Sequence, residues 1–117
     1  MFSSQDKLFM ERAIELAKES FDDGEVPVGA VIVQNEMIIG EGKNKVIFEN
    51  DVSSHAEINA IRAASKKIKN YRLNDCSMYV TLEPCHMCAK AAVDARMSSI
   101  IFAASEPKTG SIISIDN

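Results

Sequence analysis

The chain has 117 residues and a mass of 12.8 kDa, with 46% hydrophobic and 26% charged residues, a net charge of -4 and a pI near 5.1. With a mean hydropathy of -0.06, that composition suits one globular domain with its own core and excludes a disordered chain. No apolar run approaches the roughly 20 residues of a membrane helix. Met1-Phe2-Ser3-Ser4-Gln5-Asp6 shows no visible secretory signal, so none is expected, and an odd count of three cysteines points to thiol or metal chemistry in a reducing, cytoplasmic setting.

The first periodic segment runs from about Asp6 to Phe21. Met10, Ala13, Ile14, Ala17 and Phe21 recur at three- and four-residue spacing, which predicts an amphipathic helix. Asp22-Asp23-Gly24 stops it, with Gly24 suited to a left-handed cap. Val28 to Gln34 and Met37 to Gly40 read as a hairpin about Asn35-Glu36, followed by an irregular exit through Gly42 and Asn44. A second helix is expected from about His55 to Lys69, with Ser54 as N-cap and Glu57 completing a capping box. Ser77 to Leu82 reads as a strand, Pro84 to Arg96 as a third helix opened by its proline, and Ser99 to Ala103 as a last apolar strand. The tail from Glu106 carries Pro107, Gly110 and the isoleucines 112, 113 and 115. A leading helix followed by β-β-α-β-α-β implies an α/β domain in which helix-connected strands lie parallel beside one hairpin.

Charge is uneven along this order. Residues 1–57 hold 12 acids and 5 bases, whereas residues 58–117 hold 5 acids and 8 bases. Arg62, Lys66, Lys67, Lys69 and Arg72 fall in one stretch with no acid between them. The stretch is either a solvated helix face or a phosphate-facing patch on an acidic protein.

The residues that carry chemistry are His55, Glu57, Cys85 and Cys88. Cys85-His86-Met87-Cys88 lets two sulfurs reach one ion from the first turn of a helix, whose positive end favours thiolates. By itself such a pair is redox, structural or accidental. His55, at the start of another helix, adds an imidazole and makes three zinc ligands. Three protein ligands leave one position for water, and such a water is acidic enough to supply hydroxide near neutral pH. Glu57 can then carry its proton to a leaving group. The plainer readings stand beside this one: Glu57 as the capping-box acid, His55 as an ordinary helix-start histidine, and His86 as a rival ligand that would close a structural site. Cys76 reads as a small buried strand residue.

His55-Ala56-Glu57 followed by Pro84-Cys85-His86-Met87-Cys88 resembles the zinc-dependent nucleoside and base deaminase superfamily that includes the cytidine and deoxycytidylate deaminases. Within it the chain is most similar to the bacterial tRNA-specific adenosine deaminase family, over about Ala13 to Gly110. Glu25-Val26-Pro27-Val28-Gly29-Ala30, Gly42-Lys43-Asn44, Asn70-Tyr71-Arg72-Leu73, Tyr79-Val80-Thr81-Leu82-Glu83-Pro84-Cys85 and Lys108-Thr109-Gly110 carry that likeness. The resemblance implies one deaminase domain over residues 1–117, a three-layer α/β/α fold with a mixed sheet, and a Zn2+ ion on His55, Cys85 and Cys88. It implies proton shuttling by Glu57 and a substrate side formed by Asn44, Val26, Pro27, Ala56, Glu83 and Lys108. It also implies a homodimer acting on a tRNA anticodon stem-loop, converting the wobble adenosine to inosine and ammonia.

The sequence departs from the family at its end. The family continues past Lys-Thr-Gly into a strand and a terminal helix, which are expected to be missing here, and Ser105-Glu106-Pro107 replaces the usual residues before that motif. Two other readings remain at this stage. One is a small-molecule deaminase of guanine or cytosine, which fits the same zinc motif and the acidic charge. The other is a binding module with a closed, structural zinc.

Overall fold

The computed structural model describes residues 3–103 and the backbone of residues 115–116. The elements are α1 (Ser4–Asp22), β1 (Gly29–Gln34), β2 (Met37–Lys43), α2 (Val46–Glu49), α3 (Ala56–Ile68), β3 (Cys76–Val80), α4 (His86–Asp94), β4 (Ser99–Phe102) and β5 (Ile115–Asp116). They form a mixed sheet of order β2-β1-β3-β4-β5. β1 is antiparallel to both β2 and β3, while β3 and β4, joined through α4, are parallel. Among the described residues, the edge where the family's strand was expected to be missing carries the two-residue β5, antiparallel to β4.

Alternation along the strands sorts side chains to two buried faces. Val31, Val33 and Tyr79 pack with Met10, Ala13 and Leu16 of α1. Ala30, Ile32, Met78 and Val80 pack on the opposite side with Ala56, Ala60 and Ala64 of α3 and Ala92 of α4. Two covered faces account for the unbroken apolar reading of β1. The expected three-layer α/β/α architecture is therefore present. No helix among the described residues is long and apolar enough to cross a membrane.

The hairpin falls where expected. Asn35 and Glu36 both take positive φ, 51° and 64°, the twist a two-residue loop needs to join right-twisted strands. The register of the pair shifts between Ile32 and Val33, which leaves Ile39 as an extra residue on β2. Gly24, at φ 80°, follows the end of α1 as the sequence suggested.

α1 begins earlier than its apolar stripe. Ser3 is the N-cap, its Oγ accepts from the Asp6 N–H, and the Asp6 carboxylate accepts from the Ser3 N–H. The other Asp6 oxygen accepts from the Tyr79 hydroxyl on β3, and Phe9 lies against the Tyr79 ring. One carboxylate thus closes the helix start and ties it to the sheet.

The helices approach the sheet closely because glycines face alanines. A methyl group at Gly42 would fall on the Ala56 carbonyl oxygen and the Ala60 amide, and one at Gly29 on the backbone of Ala13 and Ala17. Gly42→Ala should therefore destabilise the protein by about 1–3 kcal/mol, measured by urea unfolding, because backbone and not a flexible side chain stands in the way.

The Asp6 contacts set a pH dependence. Its hydrogen bond from Tyr79, then that from Ser3, hold the carboxyl below its ordinary value. A depressed folded pKa contributes stability that is complete above the unfolded value, about pH 4, and is lost as pH falls through the folded value. Tyr79→Phe should flatten the fall of the urea midpoint below about pH 4.

Candidate metal centre and active site

Two helix N-termini and one strand exit converge at the C-terminal end of β3. His55 is the N-cap of α3, Cys85 is the N-cap of α4, and Cys88 lies in the first turn of α4. The His55 Nδ1 atom is 3.7 Å from the Cys85 sulfur and 3.5 Å from the Cys88 sulfur. The three donor atoms lie within 4.8 Å of one another. A tetrahedral zinc with ordinary bond lengths separates its nitrogen and sulfur ligands by about 3.6 Å, so the donors stand at the spacing such an ion requires. His86, the rival ligand, is exposed and outside this group.

The donor chemistry points the same way. Burial, followed by the neighbouring Glu57 and Cys85, pushes the Cys88 thiol well above its ordinary range. A buried Cys88 thiol beside a carboxylate resists ionisation unless a cation joins it, and a dication supplies that charge.

Glu57 is 4% exposed, and burial raises its carboxyl above the ordinary value against hydrogen bonds from its own backbone and from Cys88. The expected capping box is absent. The N-cap of α3 is His55, one residue later than predicted, and no N-cap side chain bonds the helix. Ser54 instead directs its hydroxyl to Glu49 at 2.5 Å. Local spacing suggested Ser54 and Glu57 as a pair, but burial places Glu57 on the donor side of the helix.

The cap comes from Asn44. Its Oδ1 accepts from the Ala56 N–H at 2.8 Å, across 12 residues. This leaves the His55 ring free for the cysteines. It also fixes the orientation of the carboxamide, so that the Asn44 amino group, a donor, is the end left for a ligand. The Ala56 amide is thereby committed to Asn44, and the residue is fully buried.

A cavity of about 240 Å³ opens on this group, lined by Val26, Val28, Asn44, His55, Glu57, Leu82, Glu83 and Cys85. The structure thus brings together the zinc-ligand candidates, Glu57, Asn44, Val26 and Glu83. Pro27 is exposed and is not part of the lining. Lys108 lies outside the described residues. Val28 and Leu82 were missed in the sequence as wall residues; both sit at strand ends, and no spacing rule marks an apolar residue as wall rather than core. A larger cleft of about 470 Å³ shares Asn44 and is otherwise lined by Asp23, Glu25, Lys43, Lys45, Ile47 and Phe48, and it includes none of His55, Cys85 and Cys88.

The basic stretch does not border the cavity. Lys66, Lys67 and Lys69 are exposed at the far end of α3, and Arg72 follows. Thirteen residues of helix separate that end from His55 by about 20 Å. Of the apolar residues on and just after α4, Ala89, Ala92 and Met97 are buried, and Val93 is exposed.

The double role of Asn44 can be separated. Asn44→Ala should cost about 1 kcal/mol through the lost cap, whereas Asn44→Asp, which keeps an acceptor at the helix N-terminus, should retain most of the melting temperature.

Comparison with known proteins agrees with this geometry. The MafB19-like deaminase family matches residues 3–116. The tRNA-specific adenosine deaminase of Buchnera aphidicola subsp. Schizaphis graminum is 47% identical over 105 residues, covering 90% of this chain and 70% of that protein. Across four such relatives the chain spans 61% to 72% of their length. A solved structure from a study of A-to-I editing by tRNA:A34 deaminases superposes with a TM-score of 0.87 at 41% identity, covering 89% of this chain and 80% of that one. A structure described as guanine deaminase from Bacillus subtilis superposes with a TM-score of 0.83 at 43% identity, covering 86% of this chain and 65% of that one. On the family match, the sequence identity and the shared fold, the chain belongs to the tRNA-specific adenosine deaminase family of MafB19-like deaminases.

Proposed function

We propose that this chain is a zinc-dependent hydrolase that converts the wobble adenosine of a tRNA anticodon to inosine with release of ammonia. The observation that carries the reading is the His55–Cys85–Cys88 group with a buried Glu57 at the floor of a nucleobase-sized cavity. The likeness to tRNA-specific adenosine deaminases supports the substrate.

His55, Cys85 and Cys88 would hold the zinc, which when bound supplies a water acidic enough to react near neutral pH. Glu57, two residues from His55, accepts one proton of that water and passes it to the ring N1, then takes the proton left on the added hydroxyl and passes it to the departing amine. Its burial suits this work, since a carboxylate in a low-dielectric site holds a proton more readily than one in water. Water adds to C6, the C6–N bond breaks, and adenosine plus water becomes inosine plus ammonia. The Asn44 amino group donates to the nucleoside, and Val26 and Leu82 shield its base from solvent. Val26 is 62% exposed without a ligand, so a base lying against it removes apolar surface from water.

The same reading places the protein in the cytoplasm with its tRNA and as a homodimer. The exposed Met87 and Val93 on α4 are apolar residues that support an interface there. The anticodon loop suits the cavity, because an unpaired base leaves its stack at low cost. The guanine deaminase likeness gives the second reading a specific basis.

One assay decides between them. The zinc-loaded chain should form inosine in an anticodon stem-loop with wobble adenosine and leave free guanine and cytosine unchanged, with activity falling steeply as salt rises. Turnover of free guanine alone would establish the second reading. Glu57→Gln should retain zinc and lose turnover by about 100-fold or more, read as inosine by mass spectrometry.

A further inference from the structure

Glu25 is a carboxylate buried to 7% exposure in the connection between α1 and β1. A buried carboxylate is costly unless hydrogen bonds satisfy it. Among the described residues its partners are two backbone amides and not a cation. One oxygen accepts from the Ile47 N–H at 3.1 Å and the other from the Phe48 N–H at 2.9 Å. Both amides belong to the short α2, which immediately follows Asn44 and Lys45.

The same neighbourhood closes into a circuit. The Glu25 N–H donates to the Ser20 carbonyl at 2.9 Å. The hydroxyl of fully buried Ser20 donates to the Asn44 carbonyl at 3.1 Å. The Asn44 N–H reaches the Val28 carbonyl, and its side chain caps α3 beside His55. Val26, on the cavity wall, is the next residue after Glu25. Glu25 therefore stands between the wall carrying Val26 and the segment carrying Asn44. It touches neither the zinc-ligand group nor the cavity and lines the neighbouring cleft instead.

We infer that Glu25 is a positioning residue for this site: by holding the Ile47 and Phe48 amides it fixes segment 44–48 against the Val26 wall and so sets how Asn44 meets the bound nucleoside. The inference rests on reading the cavity as the nucleoside site. Cutting the link should loosen substrate binding and leave the zinc group and Glu57 intact. Lost binding shared by ground and transition states raises KM and spares kcat.

The test compares wild type, Glu25→Ala and Glu25→Gln as zinc-loaded full chains. Amide hydrogen exchange at residues 44–49, zinc content, melting temperature, and KM and kcat on the anticodon stem-loop are measured. Glu25→Ala should keep about one zinc per chain. Its Ile47 and Phe48 amides should exchange about tenfold faster or more, and KM should rise about tenfold with kcat changed less than about twofold. Glu25→Gln, which keeps one acceptor oxygen, should fall between the two, and it carries the same test should Glu25→Ala not fold. Unchanged exchange, or faster exchange with unchanged KM, overturns the inference. In Glu25→Gln, a loss of activity that tracks lost zinc or lost folded protein also overturns it, since Glu25 would then be structural only. A wild-type chain inactive on the stem-loop overturns the functional reading, and the exchange measurement still decides whether Glu25 holds the segment.

Discussion

The hydrogen bond from the Ala56 N–H to Asn44 Oδ1 is the contact on which the site depends. A helix start must satisfy its free amides, and the usual donor of an acceptor is the N-cap side chain itself. At α3 the N-cap is His55, whose ring is turned to Cys85 and Cys88. Asn44 supplies the missing acceptor from β2's exit. The imidazole is thereby released for a metal, and the carboxamide that releases it is also the polar wall of the cavity. Helix capping, the freedom of the His55 ring and the polar lining of the cavity share one side chain.

Around that contact, packing supplies precision. Gly42 lets β2 lie directly on the first turn of α3, so Asn44, one residue beyond the end of β2, reaches Ala56. Asn59 adds a hydrogen bond to the Lys43 carbonyl, and Ser20 and Val28 hold the backbone of Asn44 from two other elements. Satisfied buried networks of this kind hold a single arrangement, because breaking one member strands its partners without water.

The electrostatics divide by depth. On the surface, Arg12 makes a two-pronged contact with Glu41 and reaches Glu15, while Lys43 bridges Glu19 and Asp23. Much of the acid excess of the first half is gathered on this α1–β2 face, where such pairs contribute little to stability. In the site, burial acts against ionisation of both Glu57 and Cys88. The first effect suits a group that passes protons, and the second makes a cation the natural partner of the thiol pair.

Local chemistry determined much of this protein in advance. The periodicity of Met10, Ala13 and Ala17 marked α1, the polar Asn35-Glu36 between two apolar runs marked the hairpin, and the Cys85–Cys88 spacing with His55 marked the candidate metal group, because each is set by residues close in sequence or by a ligand spacing that few other uses require. Tertiary structure alone decided the rest. It moved the start of α3 from Ser54 to His55, since Asn44 competes for the helix amides better than Ser54, whose hydroxyl is taken by Glu49. It placed Lys66, Lys67 and Lys69 at the far end of α3 and Arg62 at mid-helix, because position along the helix sets distance from the site. It made Glu25 a backbone clasp across 22 residues, a role no local pattern announces, because hydrogen bonds to main-chain amides leave no mark on the partner's sequence.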